Sequence, residues 1–147
     1  MKSVKEIELE IVKEFEIFDG WMDRYEYIID LGKQLPAFPD QWKIDQHRVV
    51  GCQSQVWFKT KLQDNLFICQ AISDSAIVSG LIALLLRIYN EQDPVDIVQT
   101  KPSFISMIGL DEHLSPTRNN GLNVMLQRIK NDANNMVVSQ KIKTEVN

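Results

Sequence analysis

Cysteine is scarce in this chain, with Cys52 and Cys69 the two present among 147 residues. A disulfide-stapled scaffold is thereby excluded, because small secreted domains of that kind are dense in cysteine. Histidine is as sparse, with two copies, His47 and His113. Metal-ligand spacing is missing too, since a closed zinc site wants a short Cys-x-x-Cys type of pair and the cysteines stand far apart. Basic residues are in deficit: 16 Lys and Arg face 20 Asp and Glu, leaving a formal charge of -4. Neutralising phosphates needs a basic face, so nucleic acid is not the expected partner. Long apolar runs are also lacking. The greasiest stretch, AIVSGLIALLL at 76–86, stops at Arg87 and falls short of the ~20 residues a membrane helix needs. The opening MKSVKEIELE has no apolar run behind its lysines. Neither a secretory signal nor a membrane anchor is therefore expected, and the expected location is cytoplasmic. In such a reducing compartment a thiol is reactive, metal-bound or buried rather than paired.

What is present fits one globular domain over 1–147, with 44% hydrophobic and 24% charged residues. Ser3 and Glu6 make a capping-box pattern, and Val4, Ile7, Ile11, Phe15 and Phe18 recur at helical spacing. A first helix is expected over 4–18. Met22, Tyr25, Ile28 and Ile29 mark a second, closing at Gly32. After a loop that begins at LPAFPD (35–40), Val56, Phe58 and Leu62 alternate with Gln55, Lys59 and Lys61, which predicts a strand over 55–63. An Asp64-Asn65 turn returns it into a second strand over 66–73. Val49 and Val50 are expected to open a third strand just before Cys52. Helices are then expected over 76–89, from Pro94, from Pro102 to Gly109, and from a Ser115 cap with Pro116 at the first helical position. The stretch 139–147 reads as a polar tail that frays. The expected fold class is α+β, a small mainly antiparallel three-stranded sheet with helices packed on one face.

The cysteines differ in their surroundings. Cys69 alternates with Phe67 and Ala71 and reads as a small buried hydrophobe. Cys52 sits between Gly51, which lets the backbone turn, and the polar run Gln53, Ser54, Gln55, which suits a reactive thiol at a surface pocket. Trp57 is an aromatic on the polar side of its strand. A Cys–His hydrolase is open to this chain, with His113 as base and Asp74 or Asp111 as its orienter. So is a purely structural adaptor in which Cys52 does no chemistry. Arg118, in the first turn of its helix, meets the positive end of the dipole and invites an acidic partner such as Asp74 or Asp111. Glu6, Glu8, Glu10, Glu14 and Glu16 read as a solvated helix face.

Three stretches, GCQSQVW (51–57), SDSAIVSGLIALLL (73–86) and HLSPTRNNGL (113–122), occur in that order together with RYEYIIDLGKQLP (24–36). In this the chain resembles SufE-type cysteine-desulfurization proteins over nearly its whole length. The resemblance implies a fold similar to the iron–sulfur scaffold (IscU-like) proteins. It also implies that Cys52 is a persulfide acceptor, taking sulfur from a SufS-type cysteine desulfurase, stimulating it, and passing the sulfur to a downstream cluster scaffold. Asp74 and Arg118 are implied as residues that help docking or transfer, and Gly51, Gln53 and His113 are expected beside them as supporting or docking residues. No cofactor is implied on this chain, because the pyridoxal phosphate belongs to the partner desulfurase. A homodimer is left open. Asn119 and Asn120 depart from the serine that family members often carry after the arginine. The runner-up in the same pathway is an iron–sulfur cluster scaffold, which needs several thiolate or imidazole ligands around the iron. For the acceptor, the expectation is a loop hinged at Gly51 that tucks a persulfide under apolar cover, with Trp57 as a candidate.

Overall fold

A computed structural model describes the backbone of residues 1–146 and the side chains of residues 1–145. The chain runs as α1 (Val4–Phe15), α2 (Trp21–Gly32), β1 (Val56–Gln63), β2 (Leu66–Ser73), α3 (Ala76–Tyr89), α4 (Pro94–Gln99), α5 (Phe104–Met107), α6 (Leu110–His113) and α7 (Pro116–Val146). Two single 3-10 turns, Asp40–Trp42 and Asp45–His47, precede the sheet.

The capping box forms as expected: Ser3 Oγ accepts from the Glu6 N–H at 3.1 Å, and the Glu6 carboxylate accepts from the Ser3 N–H at 3.3 Å. The helix ends at Phe15 rather than at 18, because the chain tightens there and the Phe18 N–H turns back to the Phe15 carbonyl. Phe18 spends its apolar surface on the Tyr27 ring, 4.8 Å away, instead of on a further helical turn. Helix α3 is sandwiched, with Ile77, Leu81, Ile82, Leu85 and Ile88 all buried. It crosses α2 so closely that a Cβ on Gly80 would stand 2.1 Å from the Ile28 carbonyl oxygen, and one on Gly32 2.5 Å from the Gly80 nitrogen. Two glycines thus let the backbones touch.

Strands β1 and β2 pair antiparallel from Val56 opposite Ser73 to Gln63 opposite Leu66. Asp64 and Asn65 close the hairpin with φ of 53° and 62°, the double positive φ that matches the twist of the strands. The sheet has two strands, not the expected three. Arg48 makes a single bridge to Trp57, and the Val49 N–H reaches the Val56 carbonyl at 2.9 Å. The ladder stops there because Gly51, at φ +105°, turns the chain away and leaves Val50 82% exposed. One sheet face, with Phe58, Phe67, Cys69 and Ala71, is buried, and Thr60 Oγ1 donates to Asp132 of α7 at 2.8 Å. The other face is partly covered by the 3-10 turns, where the Lys59 ammonium lies 4.8 Å from the Trp42 ring.

Two further expectations are corrected. Glu8 is not solvated but fully buried, its Oε2 accepting from the Phe104 N–H at 3.0 Å. That tertiary cap starts α5 at Phe104, where the sequence pattern points to Pro102, and Gly109 at φ +81° separates α5 from α6. Helix α7 continues through Val146, over the stretch read as a polar tail. No glycine or proline follows Gly121 to break it, and Gln140 reaches Asn65 of the hairpin turn at 3.3 Å. Asn147 lies outside the described residues.

Candidate functional site

Cys52 stands in a loop secured at both ends. On one side the Asn120 Nδ2 donates to the Gly51 carbonyl at 3.4 Å. On the other, Asp74 exchanges two hydrogen bonds with Gln55: its Oδ1 accepts from the Gln55 N–H at 3.0 Å, and its own N–H donates to the Gln55 carbonyl at 3.3 Å. Gly51 is required twice over, by its positive φ and because a Cβ there would approach the Val124 side chain to 3.2 Å.

The Cys52 thiol is half-buried against the first turns of α7 and donates to the Gly121 carbonyl at 3.7 Å. Beside it lies a cavity of about 80 Å³, walled by Val78 and Leu81 of α3 and by Leu122 and Met125 of α7, with Gln53 and Arg118 at its lining. Burial pushes the Cys52 thiol above its ordinary range, and no cation offsets the effect. Cys69 is the bland one: it is 2% exposed, and burial followed by the Asp132 charge holds its thiol up at about 12.

The structure therefore brings Gly51, Cys52, Gln53 and Arg118 together, with Asp74 one hydrogen bond away through Gln55. His113 belongs elsewhere. Its ring stacks on Trp21 at 4.3 Å and 18°, and its Nδ1 bonds the Gly109 carbonyl at 2.9 Å. Neither it nor Asp111 lines the thiol's cavity, so the Cys–His pairing that a hydrolase needs is not made. Arg118 also differs from expectation. Its Nη1 donates to the Tyr25 hydroxyl at 3.1 Å rather than to Asp74 or Asp111. Trp57 is no cover for the thiol; it packs near Lys43, whose ammonium lies 5.7 Å from the ring. Tyr25, Asn120 and Gly121 escaped the sequence reading as site residues. Helical spacing of Arg118, Gly121, Leu122 and Met125 places Gly121 on the Arg118 face, whereas no such pattern marks Tyr25 or Asn120.

Among the described residues no group of three His, Cys, Asp or Glu side chains stands close enough to hold a metal ion. Among them too, no helix is long and apolar enough to cross a membrane.

Known proteins resemble the chain in sequence and in fold. The solution structure of a hypothetical protein from Thermus thermophilus shares the fold with a TM-score of 0.75, covering 90% of this chain and 96% of that one at 17% identity. An uncharacterized SufE-like protein of Rhizobium meliloti is 40% identical over 129 residues, which is 84% of this chain and 92% of that protein. Another, from Rhizobium etli, is 36% identical over 129 residues, 84% of this chain and 87% of the relative. The family model for SufE, described as an Fe-S metabolism associated domain, matches residues 9–133 and so takes in the Cys52 loop, Asp74, Tyr25 and Arg118. On that match and those relatives, the chain belongs to the SufE family, whose domain is associated with Fe-S metabolism.

Proposed function

We propose that this protein is a sulfur acceptor in iron–sulfur cluster assembly: Cys52 takes the outer sulfur of a persulfide carried by a SufS-type cysteine desulfurase, stimulates that enzyme, and passes the sulfur to a cluster scaffold. The step is an exchange between thiols. The Cys52 thiolate attacks the outer sulfur, a new S–S bond forms to Cys52, the donor's S–S bond breaks, and the donor cysteine leaves as thiolate. No general base is obligatory, which fits a site where no histidine reaches the sulfur. The pyridoxal phosphate stays on the desulfurase, and the chemistry asks for no cofactor on this chain. The same reading likens the fold to the IscU-like scaffold proteins and puts the reaction in the cytoplasm.

One observation carries the proposal: a half-buried thiol with room beside it. An added sulfur, held about 2.05 Å from Sγ, needs no more space than one water molecule, ~30 Å³ of liquid. The adjoining cavity offers about 80 Å³. Apolar walls from Val78, Leu81, Leu122 and Met125 would keep small thiols and oxidants from the persulfide between receipt and delivery. The test is to incubate the protein with a cysteine desulfurase and cysteine and record the intact mass. Wild type should gain one sulfur atom and Cys52→Ser none. A wild-type protein without the adduct, or a Cys52→Ser variant that gains as much, would overturn the proposal.

A further inference from the structure

The cavity beside Cys52 has one charged side chain among its lining residues, Arg118. The contributions of α3 and α7 to the walls, Val78, Leu81, Leu122 and Met125, are neutral, as are Gln53 and Ser54 of the loop. The nearest acid of the loop clamp, Asp74, is bound to the Gln55 N–H. Arg118 and Gly121 lie three residues apart on α7, so they share a helix face, and the Gly121 carbonyl is the group the thiol touches. Arg118 and Cys52 line the same small cavity, yet the guanidinium Nη1 is bonded to the Tyr25 hydroxyl of α2 at 3.1 Å.

We propose that Tyr25 is a positioning residue for the chemistry of Cys52: its hydroxyl holds the Arg118 guanidinium off the thiol in the free chain, and loss of that hydrogen bond brings the cation over the sulfur. The proposal rests on the reading of Cys52 as the sulfur acceptor and adds when the thiol becomes competent. With the cation parked, burial alone acts on the thiol and keeps it protonated. With the cation over the sulfur, the S–H proton is released to solvent and a guanidinium–thiolate pair remains, the form that attacks a persulfide. The hydrogen bond to Tyr25 is exposed, so a docking surface that takes up the phenol or dries the cavity mouth is enough to shift the balance.

The test uses the chain alone and reads the thiol rather than sulfur transfer. Alkylation of Cys52 by iodoacetamide is followed by intact mass across pH for wild type, Tyr25→Phe, Arg118→Ala and the double variant. Phenylalanine keeps the ring that packs on the core, and removes only the hydroxyl. Tyr25→Phe should raise the alkylation rate at neutral pH by about two- to tenfold, the range a single exposed hydrogen bond to a charged group allows, and move the inflection to lower pH. The Tyr25→Phe effect should vanish in the Arg118→Ala background, so that the double variant overlays Arg118→Ala alone. A Tyr25→Phe profile that overlays wild type would overturn the proposal. So would a rise on Tyr25→Phe that persists when Arg118 is already alanine. If the four profiles behave as stated but no sulfur adduct forms with a desulfurase, the acceptor reading falls and the Tyr25 device stands.

Discussion

Replacing Gly80 by alanine sets two opposing effects against each other at one helix crossing. In the helix interior alanine is preferred to glycine by about 1 kcal/mol. Against that, the new Cβ would stand 2.1 Å from the Ile28 carbonyl oxygen and 2.5 Å from the Ile28 Cγ2, where real contacts do not fall below 3.0 Å. The carbonyl belongs to the α2 backbone and cannot rotate aside as a flexible side chain would, so α2 and α3 must part by about 1 Å along their crossing. Overpacking of this kind costs about 1–3 kcal/mol or more, and an immovable obstacle puts it at or beyond the upper end. The net effect is a loss of about 2 kcal/mol after the helix-propensity gain. For a chain of this size that lowers Tm by about 4–8 °C. The assay is thermal unfolding by circular dichroism with a urea titration beside it, and Gly20→Ala as comparator, since nothing lies within 4 Å of a Cβ at Gly20. The comparator should melt with wild type. The variant should also alkylate faster at Cys52, because α3 carries Val78 and Leu81, two walls of the thiol's cavity. A Gly80→Ala protein that melts at or above wild type would refute the reasoning and show that the helices part freely.

Three other outcomes follow from groups around the core. Glu14 receives the Arg87 guanidinium at 2.6 and 2.5 Å and the Tyr27 hydroxyl at 3.0 Å, and the Arg87 hydrogen bonds hold its carboxyl below 4.5. The stability it supplies is complete above 4.5 and is lost as pH falls through the depressed value, so Glu14→Gln should flatten that acid limb in urea titrations. The pair is about one-third exposed, so the loss near neutral pH should be about 1 kcal/mol. Glu8 has the opposite sign: burial raises its carboxyl above 4.5 against the Phe104 hydrogen bond, so the folded state binds the proton more tightly. Stability should therefore decline as pH rises from 4.5 through the raised value, and Glu8→Gln should remove that decline in urea midpoints measured across the acidic range. Gly51→Ala forces a side chain into φ +105° and to 3.2 Å from Val124, which should cost about 1–3 kcal/mol in a thermal melt and change the Cys52 alkylation rate. Unchanged values on both measurements would mean that the loop relaxes around the methyl.

Much of this architecture is written in short-range pattern. The bounds of α3 and β2, the Asp93 cap of α4 and the Ser115–Pro116 start of α7 agree with the spacing and capping signals because the determining contacts lie within a few residues. The failures share a cause in distant contacts. No local pattern tells that Glu8, on a face rich in acids, meets the Phe104 N–H from ninety-six residues away. The third strand failed because Val49 and Val50 have strand propensity but Gly51 turns the chain after one bridge. At the site, the polar turn around Cys52 was readable, whereas the Arg118–Tyr25 bond spans two helices and the phenol of Tyr25 carries no mark that separates it from a core-packing tyrosine. His113 looked available as a base because sequence shows neither the Trp21 ring beneath it nor the Gly109 carbonyl that occupies its Nδ1.

The clamps on the Cys52 loop also set a tether length. Between the Asn120 hold on Gly51 and the Asp74 hold on Gln55 the backbone has a contour of about 14 Å even when fully drawn out. A segment fastened at both ends carries its midpoint at most half its contour from the fastening points, here about 7 Å, and Cys52, next to the Gly51 clamp, has less reach than that. While the clamps hold, Cys52 can rise to the surface but cannot cross a wide gap. Any sulfur donor buried deeper than that must bring its own sulfur outward on a projecting segment, so the burden of travel falls on the other molecule.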